Sequence, residues 1–477
     1  MSITSLKPEL LWKYFHGLCQ IPRPSGQEEA VQNYVLGVAK ELGLWAERDA
    51  GGNVLIRKPA SKGKENAPGV ILQAHLDMVA QKTKESKHDF SKDPIEAYID
   101  GEWVRAKDTT LGADNGIGAA TALAVLADNS IEHGPIEALF TATEETAMDG
   151  AFALKGGWLK GSLLLNLDTE DLGEICIGCA GGVDGTFTLP LTYETNNQAG
   201  YTLAVYGLMG GHSGSDIIKQ RGNANKILAR LLSVLGDKIR IHSMQGGTLR
   251  NAIPRDAEAV ITSAESMKAL QAALEPEIAV IRRGLPEAER NAFGVKLTEA
   301  DKPAKCWNKA TQDTVLRTIN VCPNGVDRMS IDIAGLVETS SNLASIRTND
   351  QEVQVQCLLR SSDNDARDNL GQRMLGLFLL AGGNGKLDND YPGWQPIVGA
   401  KITDVLVQEG EKVIGKKPIV NVIHAGLECG ILAQNYPHWQ MASIGPDIVM
   451  PHSPDERVNI KSVEVFWKWL LAVLKAL

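Results

Sequence analysis

The 477-residue sequence has no apolar run long enough to span a bilayer and no low-complexity tract. The first lack argues against a membrane partner. The second, with 43% apolar and 22% charged residues, excludes a disordered chain. Basic clusters are missing as well. Lys and Arg number 48 against 58 Asp and Glu, a net charge of -10 with no arm to track a phosphate backbone, so nucleic acid is not an expected partner. The opening residues Met1 to Pro8 lack the apolar core of a secretion signal. The seven cysteines, an odd number scattered from Cys19 to Cys429, make no disulfide framework. A cytoplasmic location is the expectation.

What the sequence does have is two textures. Residues 8 to 43 read as a helical entry, with Val31, Tyr34, Val35, Val38 and Leu42 at helical spacing. Short apolar runs follow at Val70 to Leu72, Ile136 to Phe140, Leu163 to Leu165 and Met441 to Ile444, and these read as buried strands. The Ala-rich stretch Gly116 to Ala127 and the apolar stripe of Val463 to Leu477 alternate with them as helices, which is an α/β pattern. Near Phe187 the texture changes to alternating strands, such as Tyr201 to Leu208 and Val353 to Cys357. Two amphipathic helices, through Ile227 to Leu235 and Met267 to Ile281, accompany them. The expected architecture is an α/β catalytic domain with a mixed, mostly parallel sheet, made of residues 1–186 and 395–477. An α+β domain of residues 187–394 interrupts it.

Each buried strand runs into an acid or a histidine. Val70 to Ala74 leads to His75-Leu76-Asp77, Leu139 to Thr143 to Glu144-Glu145, Leu163 to Leu167 to Asp168, and Ser443-Ile444-Gly445 to His452. Asp114 sits in the glycine-rich turn Gly112 to Gly118 that opens the Ala-rich helix. In open α/β sheets the carboxyl ends of the strands face one crevice, so these residues can meet although they are far apart in sequence. Five carboxylates and two imidazoles in one place repel one another unless cations are present. Nitrogen and carboxylate ligands favour zinc, manganese or cobalt over calcium, and a bridging carboxylate leaves room for two ions.

Those motifs, together with Gly210-Gly211-His212-Ser213-Gly214 and Pro451-His452-Ser453, resemble in order and spacing the co-catalytic zinc peptidases that include aminoacylase and carnosinase. Gly246 to Pro254 and Ile423 to Gly430 look most like the aminoacyl-histidine dipeptidase branch of that family. The resemblance implies two divalent ions per chain, most simply zinc, with manganese or cobalt as alternatives. Asp114 would bridge them, His75 and Asp168 would complete one site, and Glu145 and His452 the other. Glu144 would be the general base, and Asp77 would orient His75 through its other ring nitrogen. The inserted domain would serve as lid and dimerisation domain of a homodimer, with His212 reaching the active site of the partner subunit to stabilise the oxyanion. Arg360 would grip the substrate carboxylate, with Asn251 and Glu428 as further substrate contacts. A cis peptide at Asp114-Asn115 is implied as well.

The implied activity is hydrolysis of unblocked dipeptides, Xaa-His and β-Ala-His included. The catalytic core serves equally a metal-dependent amidohydrolase acting on N-acyl amino acids, although the motifs around Asn251 and His424 favour the dipeptidase. A metal-binding scaffold without catalysis is a third reading, and the presence of Glu144 argues against it. Cys176-Ile177-Gly178-Cys179 lacks a second CxxC and reads as buried apolar cysteines. His16, His88, His133, His242 and His438 have no spacing partner and read as surface or capping residues.

Overall fold

A strand covered on both faces needs apolar side chains at nearly every position, and the runs at Val70, Ile136, Leu163 and Met441 meet that need. In the computed structural model, which describes residues 2–477, they form the middle of an eight-stranded mixed sheet. Its strands are β1 (Trp45–Arg48), β2 (Val54–Lys58), β3 (Val70–His75), β4 (Ile136–Thr141), β5 (Leu163–Asn166), β6 (Glu174–Cys179), β7 (Ile419–Ile423) and β8 (Gln440–Ser443). Their order across the sheet is β1-β2-β4-β3-β5-β8-β6-β7. The central pairs β4/β3, β3/β5 and β5/β8 are parallel. The flanking pairs β1/β2, β2/β4 and β8/β6 are antiparallel.

Register sets the crevice. His75 lies opposite Thr141, and Gln73 and Ser443 both lie opposite Asn166, so the parallel strands finish in line at their carboxyl ends. The Ala-rich helix Ala113–Ala127 is buried almost all round, because small side chains let it press closely on its neighbours. The expected helical entry is two helices, Glu9–Cys19 and Glu29–Glu41. Pro22 and Pro24 stand in the break, where proline's missing N–H and fixed φ stop a helix. One hydrophobic core joins these helices, the sheet and the C-terminal helix Ile460–Ala476.

The chain divides into two compact units. The first comprises residues 2–178, 394–422 and 427–477, and the second 179–393 and 423–426. The second unit has its own core and a nine-stranded sheet in which every described pairing is antiparallel. Four helices, Ala224–Leu235, Met267–Gly284, Lys309–Val321 and Asn364–Leu380, contribute buried apolar residues to that core. Its strand Glu352–Ser361 alternates buried and half-buried positions up to Cys357 and is then buried on both faces through Arg360. All seven cysteines are buried. His133 departs from the expected surface position: it is 2% exposed, and its Nδ1 pairs with the Gly134 carbonyl. Among the described residues no helix is long and apolar enough to cross a membrane.

Candidate active site

The first unit brings His75, Asp77, Asp114, Glu144, Glu145, Asp168 and His452 together. His75, the last residue of β3, is buried with Nε2 3.2 Å from Asp114 Oδ1, 3.6 Å from Asp168 Oδ1 and 4.0 Å from Glu144 Oε2. His452 reaches the other side of Asp114: its Nε2 lies 3.1 Å from Asp114 Oδ2 and 2.9 Å from Glu145 Oε2. Asp114 thus presents one oxygen to each histidine. Three ligand-capable groups result, each with its donor atoms within 4.8 Å of one another: His75-Asp114-Asp168, Asp114-Glu145-His452 and His75-Glu144-Glu145.

Asp77 has a wider role than orienting His75. The His75 Nδ1 bond, 3.1 Å, is to the Asp77 backbone carbonyl, and the Asp77 carboxylate stands 3.4 Å away. That carboxylate accepts the backbone N–H groups of Glu144 (3.0 Å) and Glu145 (3.1 Å) and the Ser25 hydroxyl (2.7 Å). Thr143, at φ +57, turns the chain so that these two N–H groups point at Asp77. One buried carboxylate therefore sets both the first histidine and the Glu144-Glu145 pair. The Asp114-Asn115 peptide is cis.

The charges show what the cluster lacks. Burial raises the Glu144 carboxyl to about 8, offset in part by His75 and reinforced by Glu428, Glu145 and Asp114. Burial and nearby carboxylates also hold Asp168 well above the usual range. Hydrogen bonds to Asp114 and Glu145 raise His452 to about 11, and His75 is raised against the cost of its burial by Asp168, Asp114 and Asp77. The imidazoles thus hold protons where the surrounding carboxylates call for positive charge. Buried oxygens Glu145 Oε1 and Asp168 Oδ1 have no hydrogen-bond partner. Unpaired carboxylate oxygens among imidazoles and acids are the donor set of a divalent transition ion, and the residues present fit such an ion.

A polar row underlies this cluster. Asn166 Nδ2 donates to Gln73 Oε1, Ser443 Oγ donates to Asn166 Oδ1, and Thr169 and Ser443 share a hydrogen bond, as the cross-strand register dictates. Glu428, expected as a substrate contact, belongs to this row. It is 1% exposed, and its Oε2 accepts from Gln73 Nε2 and Thr141 Oγ1, both at 2.7 Å.

His212, Asn251 and Arg360 belong to the second unit and form a group of their own. The Ser213 N–H donates to the Asn251 carbonyl at 2.8 Å, and Arg360 bonds Tyr391 Oη at 2.8 Å and Ser213 Oγ at 3.4 Å. His424 joins this group through Ser340 Oγ, 2.7 Å from its Nε2. The N–H groups of Gly214 and Ser215, each 3.2 Å from His212 Nδ1, donate to that nitrogen. With Nδ1 committed as an acceptor, the neutral ring carries its proton on Nε2 and presents it as a donor. Burial, then Arg360, lowers the pKa of His212, which keeps the ring neutral.

Three participants escaped the sequence reading. Arg23, 2% exposed, donates to the carbonyls of Leu76, Asp77 and Gly112, joining the end of β3 to the Asp114 turn. Its position between Pro22 and Pro24 was the available signal. Glu456 carries four backbone hydrogen bonds around Asp114, and Tyr391 holds Arg360. Neither stands in a periodic or motif context.

Peptidase family M20/M25/M40 matches residues 71–476. The chain belongs to that family and is a hydrolase of peptide bonds, so the resemblance in its motifs is borne out. The cytosol non-specific dipeptidase of Escherichia coli (strain K12) is 46% identical over 479 residues, covering 99% of this chain and 98% of the relative. The crystal structure of the aminoacylhistidine dipeptidase from Vibrio alginolyticus is 44% identical with a TM-score of 0.96, covering 100% of this chain and 98% of that one. A tripeptidase from Staphylococcus aureus, 16% identical with a TM-score of 0.57 over 99% of this chain and 98% of its own, shares the fold.

Proposed function

We propose that the chain hydrolyses unblocked dipeptides, Xaa-His and β-Ala-His among them, as a cytoplasmic homodimer with two divalent ions per chain. Zinc suits the donor set best, with manganese or cobalt as alternatives. The observation that carries the reading is the sharing of Asp114 between two ligand groups, His75-Asp114-Asp168 and Asp114-Glu145-His452. The names of the two full-length relatives support a dipeptide substrate, and that of the Escherichia coli relative supports the location.

His75, Asp114 and Asp168 would hold one ion, and Asp114, Glu145 and His452 the other. Bound ions supply Lewis acidity toward the scissile carbonyl and lower the pKa of water at the site. Glu144 takes the proton from the attacking water and returns it to the leaving amine. Its place beside both ligand groups, with its backbone N–H held by Asp77, suits it to that transfer. Asp77 keeps Glu144 and His75 in place throughout. His212 donates a hydrogen bond from its Nε2–H to the tetrahedral oxyanion, acting across the homodimer formed by the inserted domain. Arg360, backed by Tyr391, takes the substrate carboxylate in a bidentate fork, and the Asn251 segment lines that subsite.

The test is a substrate panel of Ala-His, β-Ala-His, Leu-Gly and an N-acetyl amino acid, given to metal-loaded protein. Hydrolysis of the free dipeptides and not the acetylated compound is expected. Cleavage of the acetylated compound alone would replace the dipeptidase with an amidohydrolase.

A further inference from the structure

The most fully bonded carboxylate of the first unit is not one of the acids at the strand ends. Glu456 is 2% exposed, and its Oε2 accepts the N–H groups of Leu111 (2.7 Å) and Gly112 (2.9 Å). Its Oε1 accepts those of Ala113 (2.7 Å) and Asp114 (3.2 Å). Four donors use the full acceptor capacity of an ionised carboxylate, and no neutral side chain matches it. From the other side, Arg23 Nη2 donates to the Gly112 carbonyl. Gly112 has φ +68, and a Cβ there would stand 2.6 Å from that guanidinium nitrogen and 2.8 Å from Met78 Sδ, so only glycine fits between the two grips.

The held segment ends at Asp114, the residue that presents one oxygen to His75 and one to His452. Glu456 itself follows His452 by four residues, and its N–H donates to the Ser453 carbonyl at 3.0 Å, closing a turn directly after that histidine. A simple helix cap needs no group from more than 300 residues away. This one links the two chain segments that carry Asp114 and His452.

We propose that Glu456 is a positioning residue of the metal centre: it fixes the backbone of Asp114 and, through the 452–456 turn, sets that residue against His452. The inference rests on the metal-centre reading above. A substitution at Glu456 should therefore act on the ion held by Asp114, Glu145 and His452 more than on the ion held by His75, Asp114 and Asp168.

The experiment compares the parent with Glu456→Gln, Glu456→Asp and Lys58→Met in the full chain. Zinc is titrated into metal-free protein calorimetrically, the metal-free melting temperature is recorded, and kcat and KM are measured on one dipeptide at limiting and excess zinc. Lys58 is the control, since its ammonium binds the Val125 and Asp128 carbonyls at the far end of the same helix. Glu456→Gln keeps the shape but turns an NH2 group toward backbone donors. It is expected to weaken the second zinc by roughly 10- to 100-fold, to lower kcat at limiting zinc with recovery in excess, and to leave KM within about twofold. Lys58→Met is expected to lower the melting temperature and leave both zinc affinities at the parental value. Parental affinity for both ions in Glu456→Gln overturns the proposal, as does an equal loss of zinc affinity in Lys58→Met. Where Glu456→Gln fails to fold, Glu456→Asp carries the comparison: its shorter arm cannot reach all four donors, and parental zinc affinity there overturns the proposal equally. A parent that takes up no zinc removes the metal-centre reading itself, whereas two tight ions in both parent and Glu456→Gln remove only the role of Glu456.

Discussion

Replacing Glu144 by Gln should make the zinc-loaded protein less active and the metal-free protein more stable. The Glu144 carboxyl is 14% exposed, faces Glu428, Glu145 and Asp114, and has its pKa raised from 4.5 to about 8, chiefly by burial. A carboxyl with a raised folded pKa contributes stability that is complete below pH 4.5 and is lost as the pH climbs through about 8. Above that pH the parent must bury a charge among like charges. Glutamine has the same shape and never ionises. At pH well above 8 the variant should therefore gain stability, with an upper bound of about 5 kcal/mol from the size of the pKa displacement. At pH 4 parent and variant should unfold together. The assay is urea unfolding of metal-free parent and Glu144→Gln from pH 4 to 9, with kcat measured on the zinc-loaded forms. The base role predicts a fall in kcat of roughly 10²- to 10⁴-fold. A stability difference that does not grow with pH would refute the electrostatic account of the site, and an unchanged kcat would refute the base.

Three further outcomes follow from the same physics. His424 is buried beside Arg360 and His212, and its pKa is pushed down from 6.5 to about 3, so the stability tied to its neutral ring is whole above pH 6.5 and is lost as the pH falls toward 3. His424→Gln should accordingly lose about 2 kcal/mol less than the parent between pH 6.5 and 5 in chemical denaturation. Lys58→Met removes two charge-assisted bonds to helix-end carbonyls and should cost about 2 kcal/mol of unfolding free energy. Gly118→Ala would set a Cβ 1.9 Å from Asn115 Oδ1 and 2.4 Å from the Leu167 carbonyl. Overpacking of that kind costs on the order of 1–3 kcal/mol, and the melting temperature should fall accordingly.

The strand ends were legible because two patterns coincide there. A run of apolar residues names a buried parallel strand, and the polar residue that ends it has to face the crevice. His75, Glu144, Glu145 and Asp168 follow from that pairing alone. His452 follows a few residues after the run that ends at Ile444, whereas Asp114 follows no such run and was marked by the glycine-rich turn that opens the Ala-rich helix. Burial of charge was not legible. Arg23 and Glu456 look like any polar residue in a loop, because what buries them is the meeting of segments distant in sequence. The polar row of Gln73, Asn166 and Ser443 depends on strand order, which the sequence of a parallel sheet leaves open. Glu428 was read by motif as a substrate contact; the fold turns its Oε2 to Gln73 and Thr141 and leaves its buried Oε1 without a hydrogen-bond partner, neither of which a motif shows. The texture change near Phe187 falls inside the strand Gly181–Pro190, whose glycine-rich start carries no side-chain pattern to mark where it begins.

The central claim is that one carboxylate, Asp114, unites two metal sites that perform the hydrolysis. Its most direct test is to count zinc bound per chain while following hydrolysis of Ala-His, in metal-stripped parent and in Asp114→Ala. The account predicts that parental activity saturates near two ions per chain, and that Asp114→Ala neither holds two ions nor turns over substrate. Full activity in the stripped parent, or two tightly bound ions in Asp114→Ala, would contradict it.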